Sequence, residues 1–179
     1  MVIETERLIL RPWFESDAEE LYKYAKNPKV GPMAGWPVHT SVENSREIIR
    51  TVLSSLETYA VVLKETGKPV GSVGIMFAKN SHCALKETEA EIGYWIGEPY
   101  WGRGLIPEAA EALLKRCFVK LNRTAVWCCY DDGNEKSKRV QEKCGFKYQL
   151  TMKNVPTLGE LRTQHCTRIT REEYFDEEN

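Results

Sequence analysis

Residues 101–108 read Trp-Gly-Arg-Gly-Leu-Ile-Pro-Glu, a glycine-punctuated turn that leads into a helix with no capping side chain. Pro107 suits the first position of a helix, where its missing N–H would have no partner anyway. Positions 104–106 are Gly, Leu and Ile, so no Ser, Thr, Asp or Asn stands ready to accept the first helical N–H groups. A helix start left this way satisfies its donors with water or with an anion, and a phosphate suits both the N–H groups and the helix dipole. Gly102 and Gly104 let the backbone turn and let a ligand approach closely. The plain alternative is a strand-to-helix turn whose N–H groups meet water, with Glu108 in the first turn offsetting the dipole. A dinucleotide fold is a named rival, because Asp131 ends the next strand, but Pro107 stands where the third glycine of Gly-x-Gly-x-x-Gly belongs. A Walker loop fails for lack of Gly-Lys-Ser/Thr.

The elements around this turn make a mixed α/β domain. Leu8-Ile9-Leu10 reads as a first strand ended by Pro12, and Ser16-Asp17-Ala18-Glu19 as a capping box opening a helix that Asn27-Pro28 closes. Thr40-Ser41-Val42-Glu43 is a second box, followed by Ile48, Ile49, Val52, Leu53 and Leu56 at helical spacing. Strands at 59–63 and 70–75 flank the turn 65–68, and a strand at 90–96 runs into the Gly-x-Gly segment. The helix after Pro107 carries Ala110, Leu113, Leu114, Cys117, Phe118 and Leu121 on one stripe. A strand at 124–130, a helix at 134–143 and strands at 146–150 and 162–170 complete the order β-αα-βββ-α-β-α-ββ. One domain over residues 1–179 is expected, with an acidic, disordered tail at 175–179.

Composition narrows the function. With 25 Lys+Arg against 26 Asp+Glu the chain carries a formal charge of −1, which argues against a stable nucleic-acid binder. No run approaches the length of a membrane span and the first residues lack a signal-peptide core, so a cytoplasmic protein with no membrane partner is expected. Its six cysteines then read as reduced, mostly buried thiols. Cys128 and Cys129 should point to opposite faces of a strand. His82-Cys83 and His165-Cys166 offer metal-ligand types, but the spacing of a zinc site is missing and no metal is expected.

Taken together, several segments resemble the GNAT superfamily of N-acetyltransferases, in particular its RimJ/RimL-like branch. They are Glu91-Ile92-Gly93-Tyr94-Trp95, Tyr100-Trp101-Gly102-Arg103-Gly104, Glu108-Ala109, Asn134-x-x-Ser137 and Glu142-Lys143-Cys144-Gly145-Phe146. Thr5-Glu6-Arg7-Leu8, Leu10-Arg11-Pro12 and Ile169-Thr170-Arg171-Glu172-Glu173 support them, so the likeness spans roughly residues 3 to 174. It implies the GNAT-like fold and acetyl-CoA as co-substrate. The family's pyrophosphate-cradling loop falls on Trp101, Gly102, Arg103, Gly104, Leu105 and Ile106, with Trp101 replacing an Arg/Gln and Ile106 a small residue. Backbone groups of Trp95 and Ile96, on a strand that splays from 124–130 in such folds, would pair with the pantetheine arm. Asn134 is grouped with the cofactor contacts, although a helix N-cap is its plain alternative.

The resemblance also assigns chemistry. The tyrosine that many members use as general acid aligns with Gln141 and is absent; Ser137 stands where RimL-like proteins place a serine to reprotonate the thiolate. Glu91 is favoured as base over Glu98 or Asp131, acting through a water. Trp36 and His39, in a loop with Met33, line the acceptor side, with residues 154–158 opposite. Cys129 and Cys144 read as core fillers, since direct transfer needs no cysteine nucleophile. An α-amine, with a reference pKa near 8, is about one-tenth neutral at pH 7, whereas a free Lys near 10.4 is neutral only about once in 2,500. The easier acceptor is therefore an α-amine, on a peptide terminus or a small molecule. A monomer or homodimer is expected, and a non-catalytic acyl-CoA sensor on the same fold is the alternative function.

Overall fold

The computed structural model describes residues 1–79, 81, 83 and 85–176. Its strands are β1 (Ile3–Glu4), β2 (Leu8–Arg11), β3 (Thr58–Leu63), β4 (Pro69–Met76), β5 (Glu89–Ile96), β6 (Ala125–Asp131), β7 (Lys147–Thr157) and β8 (Glu160–Thr170). They form one eight-stranded sheet in the order β1-β2-β3-β4-β5-β6-β8-β7. The helices are α1 (Ala18–Ala25), α2 (Val42–Ile48), α3 (Leu105–Lys115), α4 (Glu135–Lys143) and α5 (Arg171–Asp176), and wider π turns extend α2 over Ile49–Leu53 and α3 over Arg116–Lys120. This is the expected mixed α/β order, with a two-residue strand added at the front and a helix at the end. Among the described residues, no helix is long and apolar enough to cross a membrane.

The chain divides into two compact units, Met1–Gly74 with Tyr94–Ala109, and Ile75–Gly93 with Ala110–Asn179. In the first, β2 and β3 pair antiparallel with Leu10 opposite Val61, and β3 pairs with β4 with Ala60 opposite Ser72. Trp13, Leu21, Ala25, Ile49, Ala60 and Val62 make its core, with Ile9, Trp36, Val42, Leu53 and Trp95 packed against it. In the second, β5 runs parallel to β6 only over Glu89–Glu91 and Ala125–Trp127; β6 and β8 pair antiparallel along their length. Parallel neighbours need a crossover connection, which α3 supplies. Leu113, Leu114, Cys117 and Phe118 are fully buried on α3 and its extension, as their spacing predicts, and the Phe118 ring lies 5.0 Å from that of Tyr174 on α5.

Four local expectations need correction. Ser16 does not cap α1: Asp17 instead reaches back to the Phe14 N–H (2.9 Å), and Arg11 grips its carboxylate at 2.7 and 2.9 Å. The second cap sits one residue later than the Ser/Thr-to-Glu spacing suggests, with Ser41 accepting from Asn44 N and Asn44 Oδ1 from Thr40 N. Leu56 is 84 % exposed and lies past the last helical turn, so it does not belong to the amphipathic stripe. Phe175 and Asp176 end α5 and are not a loose tail, while residues 177–179 lie outside the described residues.

Asp17 and Arg11 are both largely buried, and removing one partner strands the other. Asp17→Ala should therefore destabilise the protein by about 3 kcal/mol. Urea unfolding checks this as a lower midpoint at unchanged slope; a midpoint equal to the parent's would show that the pair contributes nothing.

Candidate functional site

Sequence and fold meet at the turn between β5 and α3. The helix starts at Leu105, two residues before the expected Pro107, because the first i→i−4 bond is already made by Glu108 N to Gly104 O (3.3 Å). Pro107 is tolerated there, since first-turn N–H groups have no partner within the helix. The residue in the capping position is Gly104, which has no side chain to offer. Gly102 and Gly104 take φ of +72° and +74°, the left-handed region that other residues enter only with strain.

Glu108 does not serve the helix start either. Its carboxylate accepts from Thr5 Oγ1 (2.5 Å), Arg7 N (2.8 Å) and Arg7 Nε (2.7 Å). The same guanidinium donates through Nη1 to Arg103 O (2.9 Å) and through Nη2 to Gly104 O (3.2 Å). Arg7 thus clamps the outward-facing carbonyls of the turn and leaves its N–H side to whatever approaches. Arg7, Lys64 and Arg103 line a cavity of about 270 Å³ beside the turn, together with Leu63, Glu65 and Leu105; Arg7 is paired there with Glu108 and Lys64 with Glu4.

Upstream, Trp101 Nε1 donates to Ile96 O (2.9 Å), folding the turn back onto the end of β5. Gly97 N donates to Val70 O (2.9 Å). Gly71 on β4 permits this approach, since a Cβ there would lie 2.4 Å from Trp95 O. Glu98 is held by Asn27 Nδ2 and Lys29 Nζ, each at 2.6 Å. Trp95 stacks on Trp13 (centroids 6.3 Å apart, 18° between planes) and meets Trp36 edge-on at 5.6 Å. Trp36 in turn lies 5.2 Å from the His39 ring. The first unit therefore gathers Trp36, His39, Trp95, Ile96 and the whole of 101–106. His39 is 8 % exposed and its Nδ1 pairs with Ser45 Oγ (2.8 Å); burial holds its pKa below the ordinary histidine value. It supports the Trp36 ring more than it offers an open imidazole.

The other three predicted residues lie in the second unit. Glu91 is 5 % exposed and accepts from Ser81 Oγ (2.5 Å) at the last paired position of β5. Asn134 caps α4, its Oδ1 accepting from Ser137 N (3.2 Å), so the plain alternative for its side chain holds. Ser137 Oγ accepts from Gln141 Nε2 (3.2 Å), and Gln141 Oε1 accepts from Thr167 Oγ1 (2.8 Å). Gln141 is 1 % exposed, so the residue in the tyrosine position orients the serine hydroxyl from within the core. Asp131 is fixed by Arg162 (2.7 Å) and Gln164 (2.9 Å). Of the alternative bases, then, Glu98 and Asp131 are each paired with a cation.

Sequence reading missed Arg7 and Thr5 as positioning residues because both act across some hundred residues of chain, and missed Ser81 and Gln141 because no motif spacing marks their bonds to Glu91 and Ser137. It also missed that Cys83, Cys129 and Cys166 bring their sulfurs within 4.8 Å of one another. His82, one of the residues weighed as a ligand, lies outside the described residues. Cys129 and Cys83 donate towards Cys166 and pull its pKa down to about 4, while burial pushes Cys144 up to about 12.

Residues 7–147 match the family model described as an acetyltransferase (GNAT) domain. Over 176 residues the chain is 26 % identical to p20 of Bacillus licheniformis, named an uncharacterized N-acetyltransferase, covering 95 % of this chain and 96 % of that one. A stretch of 58 residues, 32 % of each chain, is 43 % identical to YdaF of Bacillus subtilis, provisionally named a ribosomal N-acetyltransferase. The crystal structure of a GNAT-family acetyltransferase from Bacillus anthracis superposes with a TM-score of 0.82 at 25 % identity, covering 96 % of this chain and 99 % of that one.

Glu108 supplies a pH test of the clamp. Burial alone would raise its pKa, but the Thr5 hydroxyl and the Arg7 amide and guanidinium outweigh burial and hold it below 4.5. A carboxylate with a depressed folded pKa contributes stability above its unfolded value and loses it as pH falls through the folded one. Glu108→Gln should cost about 1 kcal/mol at pH 7, discounted because Arg7 is half exposed. The difference from the parent should shrink below about pH 4.5; denaturant midpoints measured across pH would contradict the clamp if the gap stayed constant.

Proposed function

The chain belongs to the GNAT acetyltransferase family, and we propose that it moves the acetyl group of acetyl-CoA directly to a primary α-amine, as the RimJ/RimL-like branch does. The enzymes of this family are acetyltransferases that use acetyl-CoA, which weighs against the non-catalytic sensor. The observation that carries the reading is the start of α3, where the capping position is a glycine and Glu108 is turned away to Thr5 and Arg7. First-turn N–H groups with no capping side chain suit the CoA pyrophosphate, which satisfies donors and dipole together.

In this proposal the residues 101–106 cradle the pyrophosphate and the backbone of Trp95 and Ile96 pairs with the pantetheine amides. The neutral amine attacks the thioester carbonyl, and the tetrahedral intermediate collapses by breaking the C–S bond. Glu91 takes the ammonium proton through a water, and Ser137, oriented by Gln141, gives a proton to the departing thiolate. Trp36 borders the acceptor, with His39 behind it. The partial likeness to a protein named a ribosomal N-acetyltransferase supports a peptide terminus over a small amine.

Substitutions at two positions test the roles separately. Gly104→Glu sets a carboxylate beside the pyrophosphate; unit charges about 5 Å apart at an effective dielectric near 20 repel by roughly 3 kcal/mol, more than a hundredfold in affinity. A Cβ at Gly104 meets only Arg7 Nη2, at 3.6 Å, so Gly104→Ala isolates the strain of φ +74° from the charge. A folded Gly104→Glu protein that binds acetyl-CoA as the parent does would remove the cradle. Ser137→Ala should lower kcat by about 10²–10⁴-fold while leaving acetyl-CoA affinity nearly unchanged. A fall of less than about threefold at every pH would leave Ser137 a helix residue only.

A further inference from the structure

Three thiols remote in sequence meet in the second unit. Cys83 lies in the segment after β4, Cys129 on β6 and Cys166 on β8, where Cys129 and Cys166 are direct antiparallel partners. Their Sγ separations are 3.1 Å (Cys83 to Cys129), 3.9 Å (Cys83 to Cys166) and 2.6 Å (Cys129 to Cys166). Cys83 and Cys166 are buried, at 9 % and 1 % exposure, and Cys129 is half-buried. Among the described residues this is the one group of three or more His, Cys, Asp or Glu side chains with ligand atoms so close together.

A separation of 2.6 Å lies between a covalent S–S bond of about 2.05 Å and ordinary non-bonded contact at about 3.5–4.0 Å. Such crowding is relieved in two ways. A disulfide would join two of the sulfurs and leave the third pressed against the bridge. A shared cation would take all three. Three sulfurs each about 2.3 Å from one ion in a trigonal array stand about 4.0 Å apart. The Cys83–Cys166 edge already has that length, and the two shorter edges share Cys129, whose sulfur is the one that would have to move outward.

We propose that Cys83, Cys129 and Cys166 form a trithiolate site for one thiophilic d10 cation, zinc(II) or copper(I). Binding is an exchange without redox change: the ion forms three metal–sulfur bonds and three thiol protons leave to solvent. Soft thiolates select these ions over hard ones. Charge favours zinc(II), since three thiolates then leave a net −1 and not −2. Ligand number favours copper(I), because structural zinc almost always takes four ligands. Ser81 ties the site to the reaction chemistry: its hydroxyl accepts from Cys83 N (2.9 Å) and donates to Glu91 (2.5 Å).

The test is an anaerobic titration of the reduced full chain in two arms, each against a chromophoric competitor. One arm uses cobalt(II) followed by zinc(II), and the other copper(I). One equivalent should bind at micromolar affinity or tighter, with sulfur-to-metal charge-transfer absorption. The arm that wins names the ion. Outer partners of a metal site are alone worth about 10–100-fold, so Cys83→Ser, Cys129→Ser and Cys166→Ser should each weaken binding more than a hundredfold. Cys144→Ala should bind as the parent does. Cys83→Ser lies outside the strands, so it keeps the test valid if either strand variant fails to fold. Two results would overturn the proposal: no binding of either ion by the fully reduced protein, or binding untouched by Cys83→Ser.

Discussion

The turn into α3 depends on one interaction, the grip of Arg7 and Thr5 on Glu108. A carboxylate in the first turn of a helix would ordinarily offset the dipole and take up N–H groups. Here three donors from residues 5–7 draw it away, and the Arg7 guanidinium goes on to hold the carbonyls of Arg103 and Gly104. The carbonyl side of the turn is therefore satisfied by protein. The capping position is a glycine, which offers no side chain to the first N–H groups of the helix. The proposed anion site would result from what has been removed as much as from what is present, with no acidic or basic side chain of its own at 104–106.

Much of this was legible in the sequence, for identifiable reasons. Strands and helices were readable wherever burial imposes a strict period, as at Leu113, Leu114, Cys117 and Phe118, or where a turn fixes the ends, as around Gly67. The Gly-x-Gly-x-x-Pro segment was readable because a missing cap is itself a sequence signal. Local signals failed where a neighbouring group competes with them. Ser16 looks like a cap by spacing, yet Asp17 wins because Arg11 lies beside it. Pro107 looks like the first helical residue, yet Gly104 O already accepts the bond that starts the helix.

Side chains that act across the sheet were not readable at all. Gln141 sits where a tyrosine would be expected, and nothing local says that Thr167 orients it towards Ser137. The three sulfurs at 83, 129 and 166 have no motif spacing because a loop and two strands bring them together through the β6–β8 register. Position in the fold also sorts the carboxylates. Glu98 and Asp131 are tied to cations, and Glu91 accepts from the Ser81 hydroxyl at the point where β5 and β6 stop pairing.

The claim that joins these observations is that the protein transfers acetyl from CoA to a neutral α-amine. It is tested most directly by thiol release from acetyl-CoA with matched acceptors: short peptides with a free or a blocked N-terminus, and an N-blocked lysine. Release should need the free α-amine, yield one CoA per acetylated terminus by mass, and rise with pH as the amine loses its proton. CoA release that ignores the acceptor's α-amine, or tight binding of acetyl-CoA without release for any amine, would contradict the account.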